Sequence, residues 1–298
     1  MKHSLKITSI IILLFLLAQF IGIGIAYSYI DHSQSTAEEI IFKDLPLGER
    51  PQVNEQFSFV HFIIAILLGT AVVILLTKYK LQIIWKIWFL LAIIISLTAA
   101  FSSLLPAAIS FFLAAGIGLW RIFKPNFWVH NLSELFIYGG LGAIFIPMLN
   151  LVSVSVLLVL IAIYDAYAVW KSKHMVALAK SQLKAKAFAG IFIPYKIGKD
   201  KLSSLTKSNS KPGNKKLPLL KVRTAILGGG DLAFPLLFAG VVLKEMGLGQ
   251  SLVIPLFSAA GLMVLLWKAE EKKFYPAMPF IAAGCFAGLG VVWAIGLL

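Results

Sequence analysis

The sequence predicts an all-α membrane protein with nine transmembrane helices, and two observations lead to this fold class. Hydrophobic residues make up 59% of the 298-residue chain and charged residues only 13%, which lies outside the range of soluble domains. Apolar stretches of about 20 residues, the length that crosses a bilayer as a helix, recur along most of the chain. The predicted spans are 7–27, 57–77, 83–103, 106–123, 131–150, 153–171, 222–243, 250–267 and 274–297.

The first apolar run resembles a signal peptide, because Lys2 and Lys6 precede it. The run is longer than the usual apolar region of a signal peptide, so we expect it to be a retained first span. Two boundaries between neighbouring predicted spans depend on very short connections, one near Pro106 and one near Asn150.

Positive charges beside the spans predict the orientation, since short cytoplasmic loops collect Lys and Arg. The side opposite to these charges has the acidic stretch 31–56. We therefore expect a multi-pass protein of the cell membrane with a cytoplasmic N-terminus and an extracytoplasmic C-terminus. The basic positions are Lys2, Lys6, Lys78, Lys80, Arg121, Lys124, the segment 171–223, Lys268, Lys272 and Lys273.

About half of the 27 Lys and Arg residues lie in the segment 171–223, within a chain of net charge +14. No aromatic-interleaved basic module accompanies them, so the lipid bilayer and not nucleic acid is the expected partner. Within the connection 172–220, the residue pattern predicts an interfacial amphipathic helix over 175–189 and a linker over 201–216. Gating of substrate access, lipid binding and simple connection all remain open as its role.

Three acidic residues fall inside the predicted spans: Glu134, Asp165 and Asp231. An ionised acid at mid-span costs about 2.5–3.5 kcal/mol on insertion scales, so each is a functional candidate. Glu134 lies one turn inside span five, where its side chain can reach the interface, and a structural role is favoured for it. At 1.5 Å per residue, Asp165 and Asp231 lie about 9 Å and about 13 Å from the cytoplasmic face. These two carboxyls can therefore meet.

A pair of neighbouring carboxyls in a medium of low dielectric constant has a definite chemistry. The two groups cannot both ionise, so one carries a proton and the other does not. The ionised carboxyl can draw a proton from water as that water attacks a peptide carbonyl, while the protonated carboxyl polarises the carbonyl oxygen. Asp165 and Asp231 are therefore predicted to act as the acid and base of an aspartic protease.

The residues around Asp231 favour an open site. Gly228, Gly229 and Gly230 precede it, and Pro235 follows four residues later. Because proline has no N–H, the backbone carbonyl of Asp231 loses its helical partner. Unpaired backbone at this depth is tolerated where it faces protein or a water-filled cavity, and hydrolysis needs water. Close helix packing is the other role that the glycines can serve.

A third motif, Tyr275-Pro276-Ala277-Met278-Pro279, lies at the cytoplasmic start of span nine. Its two prolines remove two backbone donors and prevent a regular first turn, which predicts an extended stretch near the acids. The stretch could line the site and present carbonyls to an extended substrate. A simple helix start with proline in its first turn is the alternative.

Together these strings resemble the motifs of presenilin and signal peptide peptidase, the GxGD intramembrane aspartyl proteases. Tyr164-Asp165 is similar to the YD motif, Gly228-Gly229-Gly230-Asp231 to GxGD, and Pro276-Ala277-Met278 to PAL. Their order and their positions in spans six, seven and nine correspond, whereas the first five spans agree only in number. Met278 stands where the family usually has Leu, a nearly isosteric change.

The resemblance implies a presenilin-like fold and an aspartic endopeptidase that cleaves transmembrane segments. Asp165 and Asp231 would be catalytic, and Tyr164, Gly228 to Gly230 and Pro276 to Met278 would shape the site. Residues 1–150 would form an N-terminal scaffold bundle, and residues 151–298 the catalytic part with the basic loop 172–220. The compact chain looks like a prokaryotic homologue that acts by itself on a transmembrane peptide. An oligomer is compatible with the sequence, and neither a cofactor nor a metal is expected.

A proton-coupled transporter or a cation channel is the main alternative, since paired intramembrane aspartates can also relay protons. The sequence has no obvious inverted repeat of broken helices, which such transporters often contain. A prepilin peptidase would leave the Pro-Ala-Met-Pro segment unexplained. Zinc and serine membrane proteases are disfavoured because the sequence has neither His-Glu-x-x-His nor Gly-x-Ser-Gly.

Overall fold

The computed structural model describes residues 5–36, 40–51, 53–79, 81–124, 126–172, 188–196, 222–270 and 275–296. Nine long helices lie within these ranges, which matches the predicted number. They are α1 Leu5–Ser28, α2 Ser58–Lys78, α3 Gln82–Phe101, α4 Ala107–Phe123, α5 Phe127–Phe145, α6 Leu151–Tyr167, α7 Gly229–Met246, α8 Val253–Lys268 and α9 Met278–Gly296.

Most of these helices can cross a membrane. Among the described residues, seven helical segments have the length and the apolar composition for a span, α8 being counted with the preceding turn Leu248–Ser251. Of the other two helices, α4 is apolar but has only 17 residues, and α7 contains Asp231, Lys244 and Glu245. The charged residues of α7 therefore set it apart from the lipid-exposed helices.

The two shortest connections are confirmed as helix boundaries. Pro106 precedes α4 with an extended ψ of 143°, as expected for a residue that cannot continue the preceding helix. A 3₁₀ turn, Ile146–Met148, ends α5, and Asn150 then caps α6 by accepting a hydrogen bond of 2.8 Å from the Ser153 N–H.

A two-stranded antiparallel sheet corrects the predicted start of span seven. Strand β1, Gly190–Lys196, pairs with β2, Val222–Gly228, with Gly190 opposite Gly228. Residues 222–228 are therefore a strand, and the helix begins only at Gly229. Ala225 and Leu227 are buried while Ile226 between them is exposed, the period of two that a half-buried strand shows.

The predicted amphipathic helix over 175–189 lies outside the described residues except for Phe188 and Ala189, which are not helical. The predicted linker over 201–216 also lies outside them. Sequence reasoning missed both strands because an apolar strand beside an apolar helix looks like one longer span.

Helix α7 lies at the centre of the bundle and contacts α1, α5, α6, α8 and α9. Every residue from Pro235 to Leu243 is buried, so this part of the helix is enclosed on all sides. Around it, α1 packs on α5, α3 on both α4 and α5, and α8 on α9. The helix that carries Asp231 is thus the one whose position depends on the largest number of neighbours.

Polar contacts tie the start of α6 to the end of α7. Glu245 Oε1 accepts a hydrogen bond of 2.6 Å from the Leu151 N–H. Lys244 Nζ donates to Glu55 Oε2 at 2.7 Å and to the Leu149 carbonyl at 3.2 Å. These bonds fix how far the two antiparallel helices can slide past each other.

The packing of α8 on α9 generates a prediction about stability. A Cβ atom at Gly284 would lie 2.8 Å from Ser258 Cα, whereas nothing lies within 4 Å of one at Gly290 on the same helix. We expect Gly284→Val to destabilise the protein by about 1–3 kcal/mol through overpacking, and Gly290→Val to have little effect. Thermal unfolding of both variants in one detergent checks this, and equal midpoints would contradict the close approach of α8 and α9.

Candidate active site

Asp165 lies in the last turn of α6 and is only 5% exposed. Its Oδ2 accepts a hydrogen bond of 3.1 Å from the Met278 N–H, and the Ala277 N–H also faces this carboxyl. Tyr164, the residue before it, is 47% exposed on the outside of the helix. The structure thus brings the predicted motif of span nine to Asp165, while the Tyr164 side chain lies away from the buried site.

The segment Tyr275–Ala277 is not helical, as its prolines predict, and α9 begins at Met278. The Ala277 carbonyl accepts hydrogen bonds from Phe280 N and Ile281 N in the first turn of α9. The Ala277 carbonyl is therefore occupied within the helix, while the Met278 N–H at the same turn binds Asp165. That the segment presents carbonyls to a substrate stays a prediction.

Asp231 is the third residue of α7 and partly buried. It accepts a hydrogen bond from the Gly228 backbone, at the helix N-terminus, where a carboxylate is electrostatically favoured. The predicted helical span 222–243, from which the depth of Asp231 was taken, begins too early, because strand β2 occupies the residues before Gly229. A Cβ atom at Gly228 would lie 3.3 Å from Asp231 Oδ2. Glycine here leaves room beside the carboxyl.

The other two glycines have different surroundings. The Gly229 N–H donates to the Ala189 carbonyl at 3.2 Å, and a Cβ atom at this position would lie 2.8 Å from Tyr138 Oη. Gly230 is exposed, and a Cβ atom there would make only ordinary contact with the Phe234 ring at 3.5 Å. Close packing therefore accounts for Gly229.

A neighbouring helix makes a polar contact next to the backbone carbonyl that Pro235 leaves without its helical partner. Pro235 cannot donate to the Asp231 carbonyl. One residue further, the Leu232 carbonyl accepts a hydrogen bond of 2.8 Å from Gln19 Nε2 of α1. Gln19 is fully buried, so α1 supplies a polar contact at the point where α7 is loosened.

The two aspartates lie at corresponding heights. From Leu151 to Asp165, and from Asp231 to Glu245, there are 14 residues each, so both acids are about 21 Å from the hydrogen bond between Leu151 and Glu245. Because α6 and α7 are in contact and antiparallel, this equality brings the acids together. Asp165 lies near enough for its charge to act on Asp231.

Comparison with known proteins identifies the family of the chain. The family model described as "Signal-peptide peptidase, presenilin aspartyl protease" matches residues 36–296. The chain belongs to this family. It is an intramembrane aspartyl protease with many membrane spans.

Solved structures of a presenilin family intramembrane aspartate protease have the same fold. The structure in space group C222 has a TM-score of 0.63 at 19% identity and covers 97% of this chain and 99% of its own. The structure in space group P2 has a TM-score of 0.61 at 20% identity and covers 96% of each chain. No match is found among the curated proteins.

The family assignment contradicts the transporter or channel that we considered from the sequence. The described residues also contain no group of three or more His, Cys, Asp or Glu side chains arranged to hold a metal ion.

The expectation that Glu134 reaches the membrane interface was wrong. Its side chain is 1% exposed and forms an ion pair with Arg121, which is itself buried in α4 and not part of a loop. Glu134 Oε2 also accepts a hydrogen bond from Tyr138. The acid stays inside because a partner of opposite charge is available there. The spacing of Arg121 and Glu134 on consecutive spans was the signal that could have indicated this pair.

The hydrogen bond from Met278 to Asp165 generates the second prediction. Met278→Pro removes the N–H at the first position of α9, where proline is otherwise tolerated. A hydrogen bond to a charged group contributes about 1.5–3 kcal/mol, so we expect peptide cleavage to fall roughly 10- to 100-fold. The measurement is kcat/KM on a model transmembrane peptide.

Met278→Ala is the matched control, because it removes the buried side chain but keeps the N–H. It should lose less activity than Met278→Pro. If the two variants lose activity equally, the side chain of Met278 and not its N–H matters to the site.

Proposed function

We propose that this chain is a GxGD-type aspartic endopeptidase in which Asp165 and Asp231 are the catalytic pair. The observation that supports the proposal is the equal spacing of the two acids from the Leu151–Glu245 hydrogen bond, on the contacting helices α6 and α7. In a membrane helix an ionisable group is costly, so two that converge from neighbouring helices point to a shared chemical task.

The proposed reaction is hydrolysis of a peptide bond through a tetrahedral intermediate. Water attacks the carbonyl carbon while the ionised carboxyl accepts one of its protons. The protonated carboxyl donates a hydrogen bond, and then its proton, to the carbonyl oxygen. When the intermediate collapses, the leaving nitrogen takes up a proton from one carboxyl as the C–N bond breaks, and one hydroxyl of the intermediate returns its proton to the other carboxyl. A carboxylic acid and an amine are released, and the pair again holds one proton.

The surroundings supply what this reaction needs. The N–H groups of Ala277 and Met278 hold the Asp165 carboxyl in place without adding another titratable group. Gly228 leaves the space beside Asp231 open. The break in helical bonding at Pro235 favours water at this depth, because unpaired backbone is tolerated where water or protein can satisfy it.

The proposed substrates are transmembrane segments of peptides or membrane proteins, since the site lies within a helical membrane bundle. We further propose that the protein acts in the cell membrane without a partner subunit, with its N-terminus in the cytoplasm and its C-terminus outside. The burial of Arg121 removes one positive charge from the argument for orientation, but the other basic positions still lie on the same predicted side.

Substitution of either aspartate tests the proposal. With purified protein in liposomes and a model transmembrane peptide, we expect Asp165→Asn and Asp231→Asn each to lower cleavage by at least about 100-fold, as expected for loss of a general acid or base. Asp44→Asn, at an exposed carboxyl outside the spans, is the control and should cleave normally. Cleavage that survives either of the first two substitutions in a folded protein would contradict the catalytic pair.

The pH dependence provides a separate prediction. Activity should fall at high pH because both carboxyls then ionise and no proton remains for the carbonyl oxygen. It should also fall at low pH, where both are protonated and no base remains. Cleavage rates in liposomes across the pH range check this, with Tm followed in parallel. A rate that stays flat into the alkaline range would count against a shared proton.

A further inference from the structure

A cluster of buried polar side chains lies between α4, α5 and β1, outside the pair of aspartates. All of its members are less than one tenth exposed, although they come from helices that lie in the membrane. They are Arg121, His130, Asn131, Ser133, Glu134 and Tyr138, and we call them the α4–α5 cluster.

Arg121 is the centre of the cluster. Its guanidinium pairs with Glu134, donates to Ser133 Oγ at 2.8 Å and donates to the Phe188 carbonyl at 3.1 Å. The last of these bonds leaves the helices and reaches the backbone just before β1. The ion pair is thus joined to the strand.

Two further side chains bind β1 at intervals of two residues. His130 Nε2 lies 2.8 Å from the Gly190 carbonyl. Asn131 donates to the Phe192 carbonyl at 3.0 Å and accepts from the Phe192 N–H at 3.1 Å. Residues two apart in a strand use the same edge, so Phe188, Gly190 and Phe192 all face the cluster. The opposite edge of β1 pairs with β2.

Two contacts connect this anchored strand to the segment before Asp231. The Ala189 carbonyl accepts the hydrogen bond from the Gly229 N–H at 3.2 Å. On the other side, Tyr138 donates to Glu134, and its hydroxyl lies directly against Gly229. Gly229 is therefore held both by the strand and by the cluster, two residues before the acid.

We propose that Arg121, Glu134 and Tyr138 are positioning residues, which hold Gly229 and thereby orient Asp231 for the reaction. This inference rests on the proposed function, because it assigns them a role in the catalytic step of the same site. Apolar residues of similar size often replace a buried ion pair without loss of stability. A cluster that served only to fill this space would need neither charge.

Removal of one hydroxyl is the first test. Tyr138→Phe deletes the contact with Glu134 and Gly229, and Tyr29→Phe is the matched control. Tyr29 is equally buried, at 4% against 3%, and donates to the Ala99 carbonyl away from this cluster. We expect kcat for a model transmembrane peptide to fall about tenfold in Tyr138→Phe, with KM within about twofold, because misplacement of a reacting group acts on the chemical step. Tyr29→Phe should keep the wild-type kcat.

A double variant separates positioning from stability. Arg121→Met with Glu134→Met removes both charges together, so no unpaired charge is left in the membrane. We expect this protein to fold with a Tm near that of the wild type and still to cleave at least about tenfold more slowly. Hydrogen exchange of the peptide 188–196 should become faster, since β1 loses the bond from Arg121 to Phe188.

The outcomes distinguish this inference from the proposed function. If the wild type does not cleave, or if Asp165→Asn and Asp231→Asn still do, the proposed function fails. If both aspartate variants are inactive while Tyr138→Phe and the double variant keep the wild-type kcat, only the positioning role is overturned. If the double variant has both the kcat and the Tm of the wild type, the charges of the cluster have no role in positioning Asp231.

Discussion

In the hydrocarbon region no bulk water is available, so each ionisable group and each unpaired backbone group must find its partner within the protein. The partners of the active site follow from this constraint. Asp165 receives backbone N–H groups from the start of α9, and the Leu232 carbonyl receives the Gln19 amide. Glu134 is paired with Arg121 for the same reason. The first two contacts join segments more than 100 residues apart in the sequence, so satisfying these polar groups also assembles the site.

The two aspartates lie at the same height because equal lengths of α6 and α7 separate them from a contact between these helices. Equal runs of 14 residues separate them from the contact between Leu151 and Glu245, at the other end of α6 and α7. A helix has a fixed rise of 1.5 Å per residue, so a contact about 21 Å away determines whether the acids are level. The polar residues at the start of α6 and the end of α7 therefore act on the geometry of the active site without touching it.

Most of the helices and the two aspartates could be predicted because each has a strong local signal, either a long apolar run or a rare acid within one. The strands could not, since 222–228 continues into the apolar helix α7 and its partner strand lies 26 residues earlier in a basic connection. Glu134 was misjudged because depth along one helix does not reveal a neighbour such as Arg121 on another. The sequence also did not reveal that the N–H groups of Ala277 and Met278 face Asp165, because this arrangement depends on tertiary contact. The roles of the site residues stay predictions.

The first five helices contribute more to the site than a supporting bundle would. Gln19 in α1 binds the backbone beside Asp231, and Tyr138 in α5 lies against Gly229. Asn131 and His130 of α5 occupy the edge of β1 that β2 does not use, so the sheet has only its β2 side open among the described residues. An unpaired strand edge offers N–H and C=O groups for pairing, and a polar side chain that binds the edge removes it from such pairing. The polar residues of α5 thus act on the strand that precedes the active site as well as on the helices around it.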